Sequence, residues 1–374
     1  MAAERPAPFI LAAAWLALTG FAPPRETALP YDLAALINGS AAGVLPPVEP
    51  GEQYPTSQRE RVVSPPSAAA AAPVAPQPRR TSWTLTVDAS VTGDSNITNG
   101  TGLDTIFVDG GSGPANIPVD PAFREKAAVG LGASASASLR TPIGGGATLA
   151  FDAESYAIRY PGEAGNDDSS ALVAGGIALA GGGGSGVVQV TAFDRWYGGD
   201  SAMRGLGVRG NWRQDVEGGG HVALYVDART FESDWGDPLT GRSASLYLSY
   251  DKPLDATFTA AGGIYGRRDW MRDDAFSNLE LGAYGSLTHY LGKALTGGIS
   301  AGLSRSWYDA PLVYLSPDER RDWRAYGSLW ITTRKPVALG FYPSLTYTYN
   351  RTSSSVSFYK ADRHRLRLGV SRSF

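Results

Sequence analysis

Short segments in which apolar and polar side chains alternate follow one another through residues 82–374, each bounded by turn residues. In residues 220–232, for example, Leu224 and Val226 share one face of an extended chain and Asp227 lies on the other. A period of two is the pattern of a β-strand with an apolar environment on one face and a polar one on the other. The predicted strands, fourteen in all, are residues 82–93, 123–139, 147–160, 169–180, 186–197, 203–213, 220–232, 242–251, 256–267, 277–291, 295–307, 322–332, 340–351 and 363–374.

The length of these segments distinguishes a membrane barrel from a soluble sandwich. Most have ten residues or more, whereas soluble strands average about five or six, and about ten tilted residues cross a bilayer. The connections also alternate between tight turns such as 181–185 and long polar loops such as 308–321, with 198–202 as an exception. We therefore predict an all-β fold over residues 81–374, a transmembrane antiparallel β-barrel of about fourteen strands with both ends at the short-turn, periplasmic rim.

The side chains predicted to face the interior of this barrel are strongly polar. The inward set includes Asp152, Glu154, Arg195, Asp227, Arg229, Glu280, Arg324 and Arg365. Side chains fill a barrel of about eight strands, and a wider one leaves space for water. The sequence therefore predicts a wet lumen, either open or plugged by a loop.

The composition and the isolated motifs exclude several kinds of site. The chain has no cysteine, and its net charge of -3 is not that of a nucleic-acid-binding protein. The sequence GLGVRG (205–210) lies inside an alternating strand, where a dinucleotide motif would precede a helix. His221, His289 and His364 fall on separate strands without metal-ligand spacing, and Ser286 faces away from His289. We therefore expect no catalytic residue, cofactor or metal, and no nucleic-acid partner.

The first eighty residues differ from the rest. FILAAAWLALTGFA (9–22) is too short to span a bilayer as a helix and is typical of a signal-peptide core. We predict a signal peptide over residues 1–28, cleaved after Ala22 or Ala28. Residues 29–80 are rich in proline and alanine, which predicts a disordered periplasmic lead.

The sequence closes on RHRLRLGVSRSF, in which Leu366, Leu368 and Val370 take alternate positions before Phe374. The assembly machinery of Gram-negative outer membranes favours a last strand that is apolar on one face and ends in an aromatic residue. We therefore interpret these four residues as an assembly signal. They predict location in the outer membrane, with its lipid, its lipopolysaccharide and the barrel assembly machinery as partners.

Two stretches at the ends of the predicted barrel, DSNITNG (94–100) and SSSVSFYKADRHRLRLGVSRSF (353–374), resemble the surface lipoprotein assembly modifier family. In that family the first strand runs into an Asp-Ser-Asn-(Ile/Val) turn, and the last hairpin carries Ser-Asn-Ile, Tyr, Asp-Arg-x-Arg, Gly and a terminal Phe. The matching residues that we place near the seam between the first and last strands are Asp94, Ser95, Asn96, Ile97, Ser354, Tyr359, Asp362, Arg363 and Arg365. Simple turn chemistry is an alternative explanation for them. Ser355 and Ala361 depart from the family pattern, which often has Asn and Tyr there.

The resemblance implies a function without covalent chemistry. Family members move particular surface lipoproteins, or secreted haem- and metal-scavenging proteins, across the outer membrane, so the expected partner is cargo of these classes. They usually carry periplasmic tetratricopeptide repeats before the barrel. Residues 29–80 lack the helical periodicity and the length for several repeats of about 34 residues. The resemblance therefore covers residues 82–374 and leaves open whether a separate periplasmic helical-repeat protein is a partner.

Two other functions remain for a barrel of this kind. A polar lumen suits a passive, porin-like channel for small solutes equally well. A membrane-embedded enzyme would need a serine and a histidine in contact near the membrane edge, and the strand parity provides none. We therefore keep the channel as the alternative and expect no enzyme.

Overall fold

A computed structural model of the chain describes residues 80–110 and 113–374. The described strands are β1 (Ser82–Asp94), β2 (Thr105–Gly110), β3 (Gly113–Pro118), β4 (Ala128–Gly144), β5 (Ala147–Arg159), β6 (Asp168–Gly181), β7 (Gly184–Tyr197), β8 (Asp200–Val216), β9 (Gly220–Ser233), β10 (Gly241–Pro253), β11 (Phe258–Met271), β12 (Asn278–Leu291), β13 (Leu295–Tyr308), β14 (Arg321–Thr333), β15 (Tyr342–Ser354) and β16 (Ala361–Ser373). Short 3-10 turns lie at Pro121–Phe123, Ala164–Asn166, Asp237–Leu239, Ala338–Gly340 and Ser357–Tyr359. No helix in the described ranges is long and apolar enough to cross a membrane.

Fourteen of the described strands form one closed barrel in which every pairing is antiparallel. The ring runs β1, β16, β15 and so on down to β4, which pairs with β1 and closes the circle. The predicted all-β barrel of fourteen antiparallel strands is confirmed. The largest boundary error is at β4, which begins at Ala128 rather than residue 123. There Asp120 accepts a hydrogen bond from the Ala122 backbone N–H at 2.8 Å and starts a 3-10 turn instead of a strand.

The long connection after β1 contains a hairpin that the periodicity did not predict. β2 and β3 pair with each other from Thr105–Pro118 to Gly110–Gly113 and lie outside the barrel ring. Two prolines, Pro114 and Pro118, fall in β3, and proline is tolerated in strands that have a free edge. Each strand of a two-stranded hairpin has one free edge, so β3 pairs with β2 despite its prolines. The hairpin does not show the alternation of apolar and polar residues that marks the barrel wall.

The barrel wall separates the two faces of each strand as predicted. On β9, Leu224 and Val226 are exposed on the outer wall, whereas Asp227 is buried toward the lumen. Glu154 on β5 and Glu280 on β12 are buried in the same way. A register slip of one residue would place these carboxylates against lipid, so the pattern specifies the register strongly.

The two ends of the barrel differ. The tight turns lie at the end of the barrel where β1 begins and β16 ends, and this end is called the turn rim. The opposite end is called the loop rim. At the turn rim, Gly182 and Gly183 join β6 to β7 with φ of 60° and 79°, the left-handed conformation that two-residue hairpin turns require. The loop rim carries the longer connections, as the exterior face of an outer-membrane barrel does.

The predicted signal peptide (residues 1–28) and all but the last residue of the predicted lead (residues 29–80) lie outside the described residues. Both remain predictions from the sequence.

Candidate functional site

The first and last barrel strands meet along a continuous ladder, which is called the seam. Residues 86–94 of β1 pair with residues 365–373 of β16. At the turn rim the ladder extends to Phe374, whose backbone N–H donates to the Leu85 carbonyl at 2.8 Å. The barrel is therefore closed by hydrogen bonds at the place where its two ends meet.

Asp94 lies at the loop-rim end of the seam, and its side chain is fully buried. Its carboxylate accepts hydrogen bonds from Arg363 at 2.5 and 2.9 Å, from Arg365 at 3.2 Å and from the Tyr160 hydroxyl at 3.3 Å. The Asn96 backbone N–H adds a further bond at 3.0 Å. Burial and the neighbouring carboxylate raise the pKa of Tyr160, so its phenol keeps the proton that it donates. One carboxylate thus joins β1, β16 and the connection after β5.

The turn after β1 is held by side-chain bonds to its own backbone and to β16. Asn96 is fully buried, and its Nδ2 donates to the carbonyls of Gly100 at 2.9 Å and Asp362 at 3.0 Å. Its Oδ1 accepts from the Gly100 backbone N–H at 3.0 Å. Ser95 accepts from the His364 backbone N–H through its Oγ at 2.8 Å. Both turn chemistry and strand-to-strand contact therefore explain these residues.

The rest of this turn packs against the end of β5. Ile97 is buried with Ile158 and Tyr160 in a small apolar cluster. A Cβ added at Gly100 would lie 2.3 Å from the Phe123 carbonyl oxygen, so a larger residue does not fit there without backbone movement. The sequence DSNITNG therefore specifies a compact turn anchored to the wall.

Three residues of the sequence motif point away from the seam. Ser354, the last residue of β15, pairs with Asp322 of β14. It lies beyond the end of the ladder that joins β15 to β16. Tyr359 packs against Arg320, whose guanidinium carbon is 3.3 Å from the centre of its ring. The Asp362 side chain is half exposed on the outer wall, and only its backbone reaches Asn96. The structure thus brings together the motif residues from the first turn with Arg363 and Arg365, and it places the others elsewhere.

Apolar residues of the long connections form a second cluster at the loop rim, which is called the loop cap. Its buried members are Ile106, Val108, Val119, Met203, Phe231, Leu239, Met271, Ala275, Phe276, Leu312, Leu315, Val356, Phe358 and Tyr359. The β2–β3 hairpin belongs to it, and the Asp109 backbone N–H donates to the Leu315 carbonyl at 3.2 Å. Phe123 meets Phe358 edge to face with ring centres 5.9 Å apart. Five different connections therefore contribute to one core outside the barrel wall.

The loop cap extends around half of the loop rim. β9 lies seven positions from β16 in either direction around the ring, so the two strands are directly opposite. Phe231 on β9 and Phe358, next to β16, belong to the same cluster, whose other members include residues of the connections that lie between them along the rim. The β2–β3 hairpin, which follows the seam strand β1, joins this cluster, and the Asp109–Leu315 bond ties it to the connection before β14. The loop cap therefore joins opposite sides of the rim.

The lumen wall below the cap carries interlinked ion pairs. On one side, Arg209 of β8 donates to Gln189 at 2.9 Å and to Glu154 at 3.2 Å, and it reaches Asp152 at 3.4 Å. Arg140 of β4 approaches the same Asp152 at 2.8 Å. These bonds cross several strands, so they brace the wall while keeping its surface polar.

A second network lies on the other side of the lumen. The Glu280 carboxylate of β12 accepts from Tyr265 at 2.9 Å, Ser306 at 3.1 Å and Arg324 at 2.6 Å. All four side chains were on strands predicted from the sequence, and Glu280 and Arg324 were in the predicted inward set. The polar lumen is thus a property of both walls.

The histidines make structural contacts. His221 bonds Asp251 at 2.9 Å, and His289 stacks on Phe258 with ring centres 4.0 Å apart. His364 bonds a tyrosine on the outer wall. Among the described residues, no group of three His, Asp or Glu side chains is arranged to hold a metal ion.

The family model for surface lipoprotein assembly modifiers matches residues 83–374, which is the whole barrel. The chain belongs to the surface lipoprotein assembly modifier family. It is therefore an outer-membrane barrel of a Gram-negative cell, and its short turns place the turn rim on the periplasmic side. No curated protein gives a significant match to this sequence.

Several solved outer-membrane barrels align with this member of the surface lipoprotein assembly modifier family. The channel DcaP of Acinetobacter baumannii aligns with a TM-score of 0.42 and 11% identity, over 79% of this chain and 97% of that one. An outer membrane channel from Pseudomonas putida F1 aligns with a TM-score of 0.40 and 12% identity, over 81% and 99%. Pseudomonas aeruginosa OprD aligns with a TM-score of 0.40 and 9% identity, over 79% and 95%. The family assignment rests on the family model alone.

Sequence reasoning missed three parts of the site. Tyr160 bonds Asp94 from a distant connection, and no local pattern marks it. The β2–β3 hairpin lies in the connection between the first two predicted strands, for which the sequence predicted a loop. The sequence DGGSG in this connection is a turn signal between two apolar stretches. Arg209 faces the lumen, but it stands in GLGVRG, where the glycines obscure the alternation of inward and outward side chains.

Proposed function

We propose that this barrel is a gated translocator that delivers surface lipoproteins or secreted scavenger proteins to the cell exterior. Membership of the surface lipoprotein assembly modifier family supports the class of cargo. The loop cap supports the gate, because it joins opposite sides of the rim around the exit that cargo leaving through the lumen would use. Such transport needs no covalent chemistry, and we also infer that the barrel is not an enzyme.

The loop cap is the observation that carries this proposal. Most of its members come from connections, which rearrange more readily than a closed ring of paired strands, and the others lie at the loop-rim ends of β8, β9 and β11. When the cap opens, the passage below it is lined by charged side chains such as Arg140 and Arg365, which are partly exposed to water. A polypeptide could then pass through while water and polar side chains, rather than an apolar wall, surround it.

Locking the loop cap shut tests this proposal. Because the chain has no cysteine, the double variant Asp109→Cys/Leu315→Cys introduces only two thiols. Their backbones already share a hydrogen bond of 3.2 Å, which brings them within the reach of a disulfide. The measurement is the amount of protease-accessible lipoprotein on intact cells that express this variant in place of the wild type, before and after reduction. Each single cysteine variant is the matched control.

Oxidation of the double variant should abolish surface display, and reduction should restore it, while both single variants export normally. Normal display with the cap cross-linked would show that cargo does not leave through this mouth and would overturn the gate. Deletion of the gene without any change in displayed or secreted protein would overturn the translocator itself.

The charged lumen wall favours a second function, passage of small solutes. Single-channel recording in planar bilayers separates the two. A large, steady conductance in the wild type would favour the passive channel, whereas a closed barrel that conducts after the β2–β3 hairpin is deleted would favour the gated translocator. A phospholipase assay in detergent tests the absence of catalysis.

A further inference from the structure

A row of arginines faces outward from the barrel wall close to the loop rim. In the described part of the chain this outward row comprises Arg159, Arg204, Arg242, Arg268, Arg305, Arg321 and Arg351. Cross-strand partners show their orientation, because opposite residues share a face of the sheet. Arg305, for example, lies opposite Leu281 and Trp323, both exposed on the outer wall.

Five members of the outward row have an acidic neighbour, and one of them is Arg159, whose Nη1 lies 2.9 Å from Asp167. Arg204 approaches Glu232 at 3.3 Å, Arg321 approaches Glu319 at 3.9 Å, Arg351 approaches Asp362 at 3.9 Å, and Arg268 pairs with Asp309. Within residues 80–110 and 113–374, neither Arg242 nor Arg305 has a carboxylate within ion-pair distance. These two arginines therefore have no fixed counter-charge among the described residues.

Arg305 is the better defined of these two. Its guanidinium carbon lies 5.0 Å from the ring centre of Trp307 and 5.1 Å from that of Trp323. The Nε atom is buried and has no hydrogen-bond acceptor in the described structure. Two indole faces thus hold a planar cation in place.

The position of Arg305 at the membrane makes this arrangement informative. A lipid-facing arginine costs about 2–4 kcal/mol at the midplane of a bilayer and about 0–1 near the interface. The tryptophans that flank Arg305 are the residues that mark the interface of outer-membrane barrels. The loop rim faces the exterior, so this cation lies at the depth of the headgroups of the outer leaflet.

We propose that Arg305, held between Trp307 and Trp323, binds a phosphate group of the phosphorylated glycolipid of the outer leaflet, the lipid A portion of lipopolysaccharide. A guanidinium presents parallel N–H donors that match two oxygens of one phosphate, and the charge is complementary. The acyl chains of the same lipid would lie on the apolar outer wall below, where Leu281 and Leu303 are exposed. This site is independent of what passes through the lumen.

Binding of lipid A to the full-length chain in detergent tests this proposal. The measurement is the dissociation constant of bisphosphorylated lipid A for the wild type and for Arg305→Gln, with fully dephosphorylated lipid A and inorganic phosphate as comparison ligands. Arg334→Gln is the matched control, because Arg334 also stacks on an aromatic ring, Tyr290 at 4.9 Å, but lies at the turn rim. Gel mobility of unheated samples reports whether each variant keeps the folded barrel.

Losing a charge-assisted hydrogen-bond pair should weaken lipid A binding by Arg305→Gln about tenfold or more, while Arg334→Gln binds as the wild type does. Wild type should also prefer phosphorylated to dephosphorylated lipid A by a similar factor. Equal wild-type affinity for the two lipids would overturn the proposal even if the variant failed to fold. An equal loss in both variants would show unspecific charge attraction, and binding of inorganic phosphate as tightly as lipid A would show that the ligand is a free anion.

Discussion

The seam depends on Asp94, and replacing it by asparagine is the sharpest test of how the barrel is closed. The carboxylate is fully buried and is the shared counter-charge of Arg363 and Arg365. Asparagine preserves the size of the side chain and one acceptor oxygen but leaves both guanidinium groups without that charge. Removing one partner of a buried ion pair costs about 3–5 kcal/mol. Because both arginine side chains are partly exposed to water, at 14% and 23%, we expect about 3 kcal/mol.

Equilibrium unfolding of the barrel in phospholipid vesicles by guanidinium chloride, followed by tryptophan fluorescence, measures this loss. Asp362→Asn, next to Arg363 on β16, is the matched control, since its carboxylate is half exposed, and we expect a change below about 1 kcal/mol. Adding Arg363→Gln to Asp94→Asn should cost less than the sum of the two single changes, because the pair is already broken. If Asp94→Asn is no more destabilising than Asp362→Asn, the ion cluster does not hold the seam.

Two further predictions concern the wall and the turn rim. A Cβ at Gly282 would lie 2.4 Å from the ring of Tyr265. Gly282→Val should therefore lower the free energy of unfolding by about 1–3 kcal/mol in the same unfolding assay. Gly285→Val is the control and should change that free energy little, because Gly285 has no such close neighbour. Hydrogen bonds from the Thr257 backbone and hydroxyl lower the pKa of Asp255, which lies in the turn after β10. Its stabilisation is therefore fully present above the unfolded pKa of about 3.9 and is lost as the pH falls through the folded value. The stability difference between wild type and Asp255→Ala should shrink over that acidic range, and a difference independent of pH would refute the reasoning.

The fold was largely predictable because one local pattern carries it. A strand that faces lipid on one side and water on the other must alternate, and a membrane span sets its length. These two constraints act on all fourteen barrel strands, so errors in single residues did not change their number. The β2–β3 hairpin faces no lipid and has prolines, so it escaped the same reasoning.

The candidate site was only partly predictable. The proximity of DSNITNG and the last strand followed from closing the ring, and the contact of Asp94 with Arg363 and Arg365 agrees with it. The prediction for Ser354 and Tyr359 depended on nearness in sequence to β16. A side chain on the connection before β16 can turn toward either neighbour, and Tyr359 packs against Arg320 beside β14.

The sequence by itself determined which residues form barrel strands, which face of each strand is apolar, and the chain order of the wall. It did so because these properties repeat every two residues and depend on neighbours along the chain. Only the tertiary structure decided that Arg209 reaches Glu154 across the strands between them, that Tyr160 completes the Asp94 cluster, and that five connections pack together at the loop rim. Those contacts join residues far apart in sequence, and they depend on the curvature of the closed ring and on the reach of individual side chains.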